Sequence, residues 1–231
     1  MRKIRFSERT VRIIKIGGKM KRVHFLLFTL CFLGLSGLFF GCGGGPGAPG
    51  SQGTEDTGVV LDATITPTYL GPNTSSVDAI QDQCTAGPPP TFEVFTDHSA
   101  TLAITARALN PNSTFQLGNL FIEKYTIEYR RSTDSIGAPP IQTDTRFVSI
   151  VIPAPFGSTI STVSTTVTFV DLLRKDQYRT DVTSGQFSSS LSFLNNYTAI
   201  YTFEGKNEFG TKFSFKVQTD FQIADFNNCT G

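Results

Sequence analysis

The C-terminal part of the chain contains two long runs in which apolar and polar residues alternate. The first run covers residues 197–203 (YTAIYTF) and the second covers 213–223 (FSFKVQTDFQI), with a stretch rich in Gly and Asn between them. Successive side chains of a β-strand point to opposite faces, so each run gives a strand with one apolar face. The pair predicts a long β-hairpin that packs against a core.

The same alternation recurs through much of the preceding chain, which is rich in Thr, Val, Ile, Phe and Tyr, the residues that suit a pleated sheet. One helical turn is predicted at 171–179, with Asp171 as its N-cap and Leu172, Leu173 and Tyr178 facing the core. We therefore predict an all-β fold, an antiparallel β-sandwich of about eight strands. The other candidate strands are residues 59–66, 77–82, 92–95, 101–108, 121–130, 145–152 and 159–170.

The order of the last strands resembles that of immunoglobulin and fibronectin type III domains. A short turn precedes a strand with the pattern Tyr197-x-Ala199-x-Tyr201, and a long final hairpin follows. The resemblance implies an immunoglobulin-like sandwich.

Residues 20–41 have the features of an export signal. Lys21 and Arg22 precede about sixteen uncharged residues, fewer than the roughly twenty that a membrane-spanning helix needs. Gly41 then precedes Cys42. This arrangement resembles the signal peptide of a bacterial lipoprotein, which implies that Cys42 is acylated, for example with palmitate, and becomes the mature N-terminus. Because Gly43 rather than Asp follows the cysteine, the resemblance implies an outer-membrane lipoprotein, on its periplasmic or its surface-exposed face.

Residues 1–19 are strongly basic and stand ahead of a second methionine, Met20. They are either a basic arm for nucleic acid or membrane, or the product of a start site assigned too early. We favour a start at Met20, because export signals usually begin a few residues before their apolar segment.

Cleavage before Cys42 would change the charge and the organisation of the chain. It leaves 11 basic and 18 acidic residues, a net charge of −7, so the exported protein has no electrostatic reason to bind nucleic acid. Residues 42–57 are mainly Gly, Pro, Ala, Ser and Gln, a composition typical of a flexible linker. Residues 58–231 are long enough for one β-sandwich domain.

The four cysteines divide by position. Cys31 would be removed with the signal peptide and Cys42 would carry the lipid, so Cys84 and Cys229 remain in a compartment where disulfides persist. Only one pairing within the chain is then available, and we predict a Cys84–Cys229 disulfide. Two free thiols or a cofactor ligand are the alternatives.

The mature chain has few groups suited to catalysis. His98 is its one histidine, which excludes multi-histidine metal sites and leaves any hydrolytic triad dependent on this residue. Asp97 is its neighbour in sequence and would point the other way in a strand. We predict a loop histidine and no catalytic, metal or cofactor site.

Several carboxylates are spaced so that they could act in pairs. Asp78 and Asp82 are four residues apart on one face of a short strand, and residues 225–228 (DFNN) offer further oxygen ligands. Either group could form part of a calcium shell, although solvated surface is the simpler interpretation. Glu123 and Glu128 fall on opposite faces of one strand by parity, which argues against an acid–base pair.

Most aromatic residues fall in the inward register, and only Phe156 and Phe209 are predicted to be exposed. We interpret the protein as a non-catalytic, lipid-anchored interaction or structural module. Its expected partners are a membrane, through the lipid anchor, and a protein or a glycan. The alternatives are a carbohydrate- or calcium-binding module associated with a cell-surface enzyme or complex, and an enzyme whose carboxylates are distant in sequence.

Overall fold

The computed structural model describes residues 54–68 and 76–229, which contain ten β-strands, one α-helix and two short 3-10 turns. The all-β prediction is confirmed, but the predicted count of about eight strands is too low. β4 overlaps the candidate strand at 92–95, whereas β3 was missed because its three residues are too few to show an alternation. The elements are β1 Val59–Thr68, β2 Ser76–Asp78, β3 Gln83–Thr85, β4 Thr91–Phe92, β5 His98–Ala108, β6 Leu120–Arg131, β7 Asp144–Ile152, β8 Ser161–Val170, α1 Leu172–Thr183, β9 Asn195–Asn207 and β10 Lys212–Ala224, with 3-10 turns at Glu55–Thr57 and Thr133–Ser135.

The strands form two main sheets and one small hairpin. The first sheet has the order β1-β5-β8 and is antiparallel. The second has the order β2-β10-β9-β6-β7, in which only β2 runs parallel to its neighbour. β3 pairs with β4. The buried side chains of the two main sheets belong to one continuous apolar core, as in a β-sandwich.

The predicted C-terminal hairpin is confirmed, and its apolar faces point inward as expected. Phe203 of β9 pairs with Phe215 of β10, and Tyr197 pairs with Phe221. All four side chains are buried, and the ring centroids lie 5.0 Å apart in the first pair and 5.6 Å apart in the second. The period-2 pattern thus identifies the face of each strand that builds the core.

Tyrosine hydroxyl groups link the two main sheets across the core. Tyr201 donates to the carbonyl of Thr168 at 2.8 Å, and Tyr125 accepts from the amide of the same residue at 2.9 Å. Tyr129 donates to the carbonyl of Phe169. β8 is an edge strand of the first sheet, so these bonds satisfy main-chain groups that the sheet itself leaves unpaired.

A β-bulge interrupts β6 between Ile122 and Lys124. The extra residue shifts the alternation by one position. Glu123 and Glu128 are therefore both exposed, and the parity argument that put them on opposite faces is wrong.

Gly205 of β9 lies opposite this bulge, where two main chains approach closely. A Cβ atom at Gly205 would stand 2.0 Å from the carbonyl oxygen of Phe121. Only glycine fits this position without moving a central strand.

The helix α1 begins where its N-cap was predicted and buries Tyr178 as predicted, but not the two leucines. Asp171 accepts a hydrogen bond from the amide of Arg174 at 2.9 Å, which confirms the cap. Leu172 and Leu173 are 40% and 71% exposed, so the prediction that they face the core is wrong. The buried residues of the helix are Lys175, Tyr178 and Val182.

Four charged side chains fasten the start of α1 to β7. Arg174 lies 2.7 Å from Asp171 and 3.1 Å from Asp144, and Arg146 lies 2.7 Å from Asp144 and also bonds Asp171. The two arginines balance the two aspartates, so this group leaves no net charge for a ligand.

Candidate functional site

Cys84 and Cys229 are joined by a disulfide, with their Cα atoms 5.3 Å apart. This prediction is confirmed, and the two alternatives for these thiols are excluded. The bond fastens the segment after β10 to the small β3–β4 hairpin. Residues 1–19, the predicted signal peptide, Cys42 and most of the predicted linker lie outside the described residues.

A pocket of about 240 Å³ lies beside this disulfide, between the β3–β4 hairpin, the start of β5 and α1. Phe92 and Val94 are exposed on its wall. Three charged side chains in its lining, Asp78, Glu93 and Lys175, are each at most 5% exposed. Buried ionisable groups that meet in a pocket are the usual mark of a functional site, although structural networks produce them too.

The two carboxylates bind the C-terminal segment and each other. Asp78 accepts the amides of Ile80 and Phe226, both at 3.2 Å, and the side-chain amide of Asn228 at 3.0 Å. Burial is the main reason that the pKa of Asp78 rises to about 7, and its hydrogen bond with Glu93 raises it further. The hydrogen bonds from the backbone amides of Phe226 and Ile80 lower this pKa but do not outweigh the other two effects. Near neutral pH, the protonated and ionised forms of Asp78 are therefore both populated.

Glu93 completes the attachment of the same segment. Its side-chain oxygens accept the amide of Asn228 at 2.7 Å and the amide of Asp82 at 3.0 Å. Each of the four oxygens of Asp78 and Glu93 thus already accepts a hydrogen bond, and calcium ligation by this pair would have to displace those donors. The described residues contain no group of three or more His, Cys, Asp or Glu side chains arranged to hold a metal ion.

Lys175 and His98 form the other side of the pocket. The Lys175 ammonium donates to the carbonyl of Thr96 at 2.8 Å and lies 4.2 Å from the centroid of the Phe95 ring. Burial lowers its pKa to about 8, while the charges of Asp78 and two other carboxylates oppose that shift. Burial, followed by the charge of Lys175, lowers the pKa of His98 to about 3. His98 is therefore a neutral, buried residue at the start of β5, not the loop residue that the sequence predicted.

The structure brings together some of the carboxylates singled out in the sequence and separates others. Asp78 and Asn228 meet, although they are 150 residues apart. Asp82 lies beyond the end of β2 and contributes its backbone amide, so the prediction that it shares a strand face with Asp78 is wrong. Sequence reasoning missed Glu93 and Lys175. For Lys175 a signal existed, because it shares a helix face with Tyr178 and Val182.

The opposite end of the sandwich presents a different surface. The exposure of Phe156 and Phe209 is confirmed, but the prediction that they alone among the aromatic residues are exposed is wrong, because Phe92, Phe115, Phe147 and Phe193 are also more than half exposed. At this end, Phe156, Phe209 and Phe115 are 82%, 69% and 85% exposed. They lie in the three loops that follow β7, β9 and β5 respectively. Within the described residues, no helix has both the length and the apolar character needed to cross a membrane.

Comparisons with known proteins give no family for this chain. No protein-family model matches it, and no curated protein matches it. Among solved structures, it is similar to an X-ray structure of a Northeast Structural Genomics Consortium target (TM-score 0.28, 11% identity, 73% of this chain and 88% of that one). It is also similar to the solution structure of a protein assigned to the late embryogenesis abundant (LEA) proteins (TM-score 0.33, 11% identity, 74% of this chain and 75% of that one). At this level of similarity, neither structure assigns an activity to the chain.

Proposed function

We propose that the protein is an outer-membrane lipoprotein whose β-sandwich serves as a non-catalytic interaction or structural module. The observation that carries the proposal is the run from Lys21 to Cys42, with its cations, uncharged segment and cysteine after Gly41. The −7 charge of the part after residue 41 and the Cys84–Cys229 disulfide fit an exported protein that does not bind nucleic acid.

The strand order supports an immunoglobulin-like assignment of the sandwich, which we also propose. β1, β5 and β8 lie in one sheet, and β6, β7, β9 and β10 lie in the other, with β6–β7 and β9–β10 as hairpins. The chain passes between sheets after β5 and again after β8, as Greek-key sandwiches do. The tyrosine bonds to β8 take the place of the disulfide that joins the sheets in many such domains.

The buried network supports a module without chemistry of its own. The hydrogen bonds of Asp78, Glu93 and Lys175 are made to the chain itself, and they hold the C-terminal segment against the β3–β4 hairpin. A satisfied buried network of this kind makes the structure around it rigid, which suits a module that presents a surface to a partner.

Acylation of Cys42 is the direct test. Cells expressing the full chain are labelled with a palmitate analogue and fractionated, and Cys42→Ser is compared with Cys31→Ser, which changes the other cysteine before residue 43. We expect Cys42→Ser to abolish the label and the membrane association, and Cys31→Ser to leave both intact. Undiminished label in Cys42→Ser would overturn the proposal. Gly43→Asp should shift the labelled protein to the inner membrane.

A further inference from the structure

Three loops at one end of the sandwich present apolar side chains to solvent. We call this surface the loop end; it consists of residues 109–119, 153–160 and 208–211, which connect β5 to β6, β7 to β8 and β9 to β10. Phe115, Phe156 and Phe209 are 69–85% exposed. Leu109 and Ile160 are also more than half exposed. Such grouped apolar exposure marks an interaction surface rather than scattered surface residues.

The three loops support one another. The side chain of Asn119 accepts the amide of Ala154 at 2.9 Å, and its carbonyl accepts the amide of Glu208 at 2.9 Å. The Phe209 ring packs against Gly118, where a Cβ atom would stand 2.9 Å from it. The aromatic tips are thus held on one scaffold at the ends of the long strands.

The three loops of the loop end carry almost no charge, although Lys206 and Lys212 flank the third loop and Asp56 lines the same cavity as these lysines. Glu208 is the one Asp, Glu, Lys or Arg in its three loops, and that carboxylate accepts the amide of Asn119 at 3.3 Å. The opposite end also exposes apolar side chains, including Phe92 and Leu173. There, however, α1 alone carries two arginines, a lysine and two aspartates. Removing the loop end from water therefore costs far less than removing the other end, because few charges lose hydration.

The chain enters the sandwich at this same end. Gly58 accepts the amide of Leu109 at 2.9 Å, and β1 begins at the next residue. Twelve residues, 42–53, precede the first described residue, Thr54, and such a stretch can span at most about 40 Å. A lipid on Cys42 would keep the loop end, rather than the disulfide end, within this distance of a bilayer.

We propose that the loop end docks on the bilayer itself, with Phe115, Phe156 and Phe209 inserted at the boundary between headgroups and acyl chains. The inference rests on the proposed lipid anchor at Cys42, which brings the protein to a membrane. The loop end then makes a second membrane contact that is independent of the lipid. Apolar side chains that enter the interface add binding free energy in proportion to the apolar area they bury. The near absence of charge predicts that neutral lipids suffice and that salt has little effect.

The test uses the unlipidated protein, so that docking by the loop end is tested separately from acylation of Cys42. The chain from residue 42 with Cys42→Ser, which keeps the whole apolar core of the described residues, is mixed with neutral phosphatidylcholine–phosphatidylethanolamine vesicles and floated. We expect it to partition to the vesicles, and the Phe115→Ser/Phe156→Ser/Phe209→Ser variant to lose roughly a hundredfold in the partition coefficient. The matched control, Phe92→Ser/Leu173→Ser/Phe193→Ser at the other end, should partition as the parent does.

A second readout exploits the lack of tryptophan in the chain. Phe115→Trp should give emission that shifts to the blue on vesicles and is quenched by brominated lipids, whereas Phe92→Trp should give neither response. No partition by the parent, or equal loss in both triple variants, would overturn the proposal. The proposal would also be overturned if the protein does not bind lipid and instead uses the three phenylalanines to self-associate or to bind a purified envelope protein.

Discussion

Removing the Cys84–Cys229 disulfide should cost much of the stability of the sandwich. The bond joins residues 145 apart, and the chain-entropy relation gives about 5 kcal/mol for a loop of that size. The structure adds a second cost, since the same bond keeps Asn228 against Asp78 and Glu93. If the segment detaches, water reaches the two carboxylates and limits that cost. We therefore expect Cys84→Ser/Cys229→Ser to lower the free energy of unfolding by about 3–5 kcal/mol.

Urea unfolding followed by tyrosine fluorescence measures this change, because the chain has no tryptophan to dominate the signal. The melting temperature should fall by about 10 °C or more for a domain of this size. Reduced wild-type protein should match the double variant. A loss below about 1 kcal/mol would show that the bond constrains little of the unfolded chain. If the Asn228→Ala variant with its disulfide intact loses as much free energy of unfolding as the double cysteine variant, then the hydrogen bonds, and not the disulfide, hold the segment.

Two further predictions concern the strand contact at the bulge and the buried titratable groups. Gly205→Ala should destabilise the protein by about 3 kcal/mol or more, because the new methyl group meets the carbonyl of Phe121. Gly87→Ala, where nothing lies within 4 Å, is the matched control, and equal melting temperatures for the two variants would refute the argument. Asp78 has a folded pKa raised to about 7, so its contribution to stability falls, by up to about 4 kcal/mol, as pH rises from about 4 to 7. His98 has a folded pKa lowered to about 3, so its contribution rises over about pH 3 to 6.5 and offsets that fall. In Asp78→Asn, the free energy of unfolding should therefore rise with pH between about 4 and 6.5, whereas in the wild type it should change little. The same pH dependence of this free energy in both proteins would contradict the prediction.

The strands of the long hairpin were predictable because their pattern is local. Each apolar residue from Phe213 to Ile223 faces a core that covers one side of the strand, so a slip by one residue would expose them all. In β6 the same reasoning failed at Glu123. A bulge depends on how the partner strand approaches, here at Gly205, and the sequence of β6 alone does not record this.

The pocket was harder to predict than the strands, because four distant segments build it. Asp78, Glu93, Lys175 and Asn228 come from β2, the segment after β4, α1 and the segment after β10. Their proximity follows from the strand order and the disulfide, and neither follows from residue spacing. Lys175 is the exception. A lysine on the buried stripe of a helix predicts a partner in the core, even when the partner is unknown.

The disulfide also determines how the domain would respond to mechanical force. The chain enters beside the loop end, whereas Cys229 follows the far end of β10. Tension applied between Thr54 and any attachment beyond Cys229 would travel through residues 54–84 and then directly across the sulfur bridge. Only about thirty residues could uncoil, to roughly 100 Å, while the disulfide would prevent extension of the chain between Cys84 and Cys229. Under tension, the domain would thus shed β1 and β2 and keep most of its body intact.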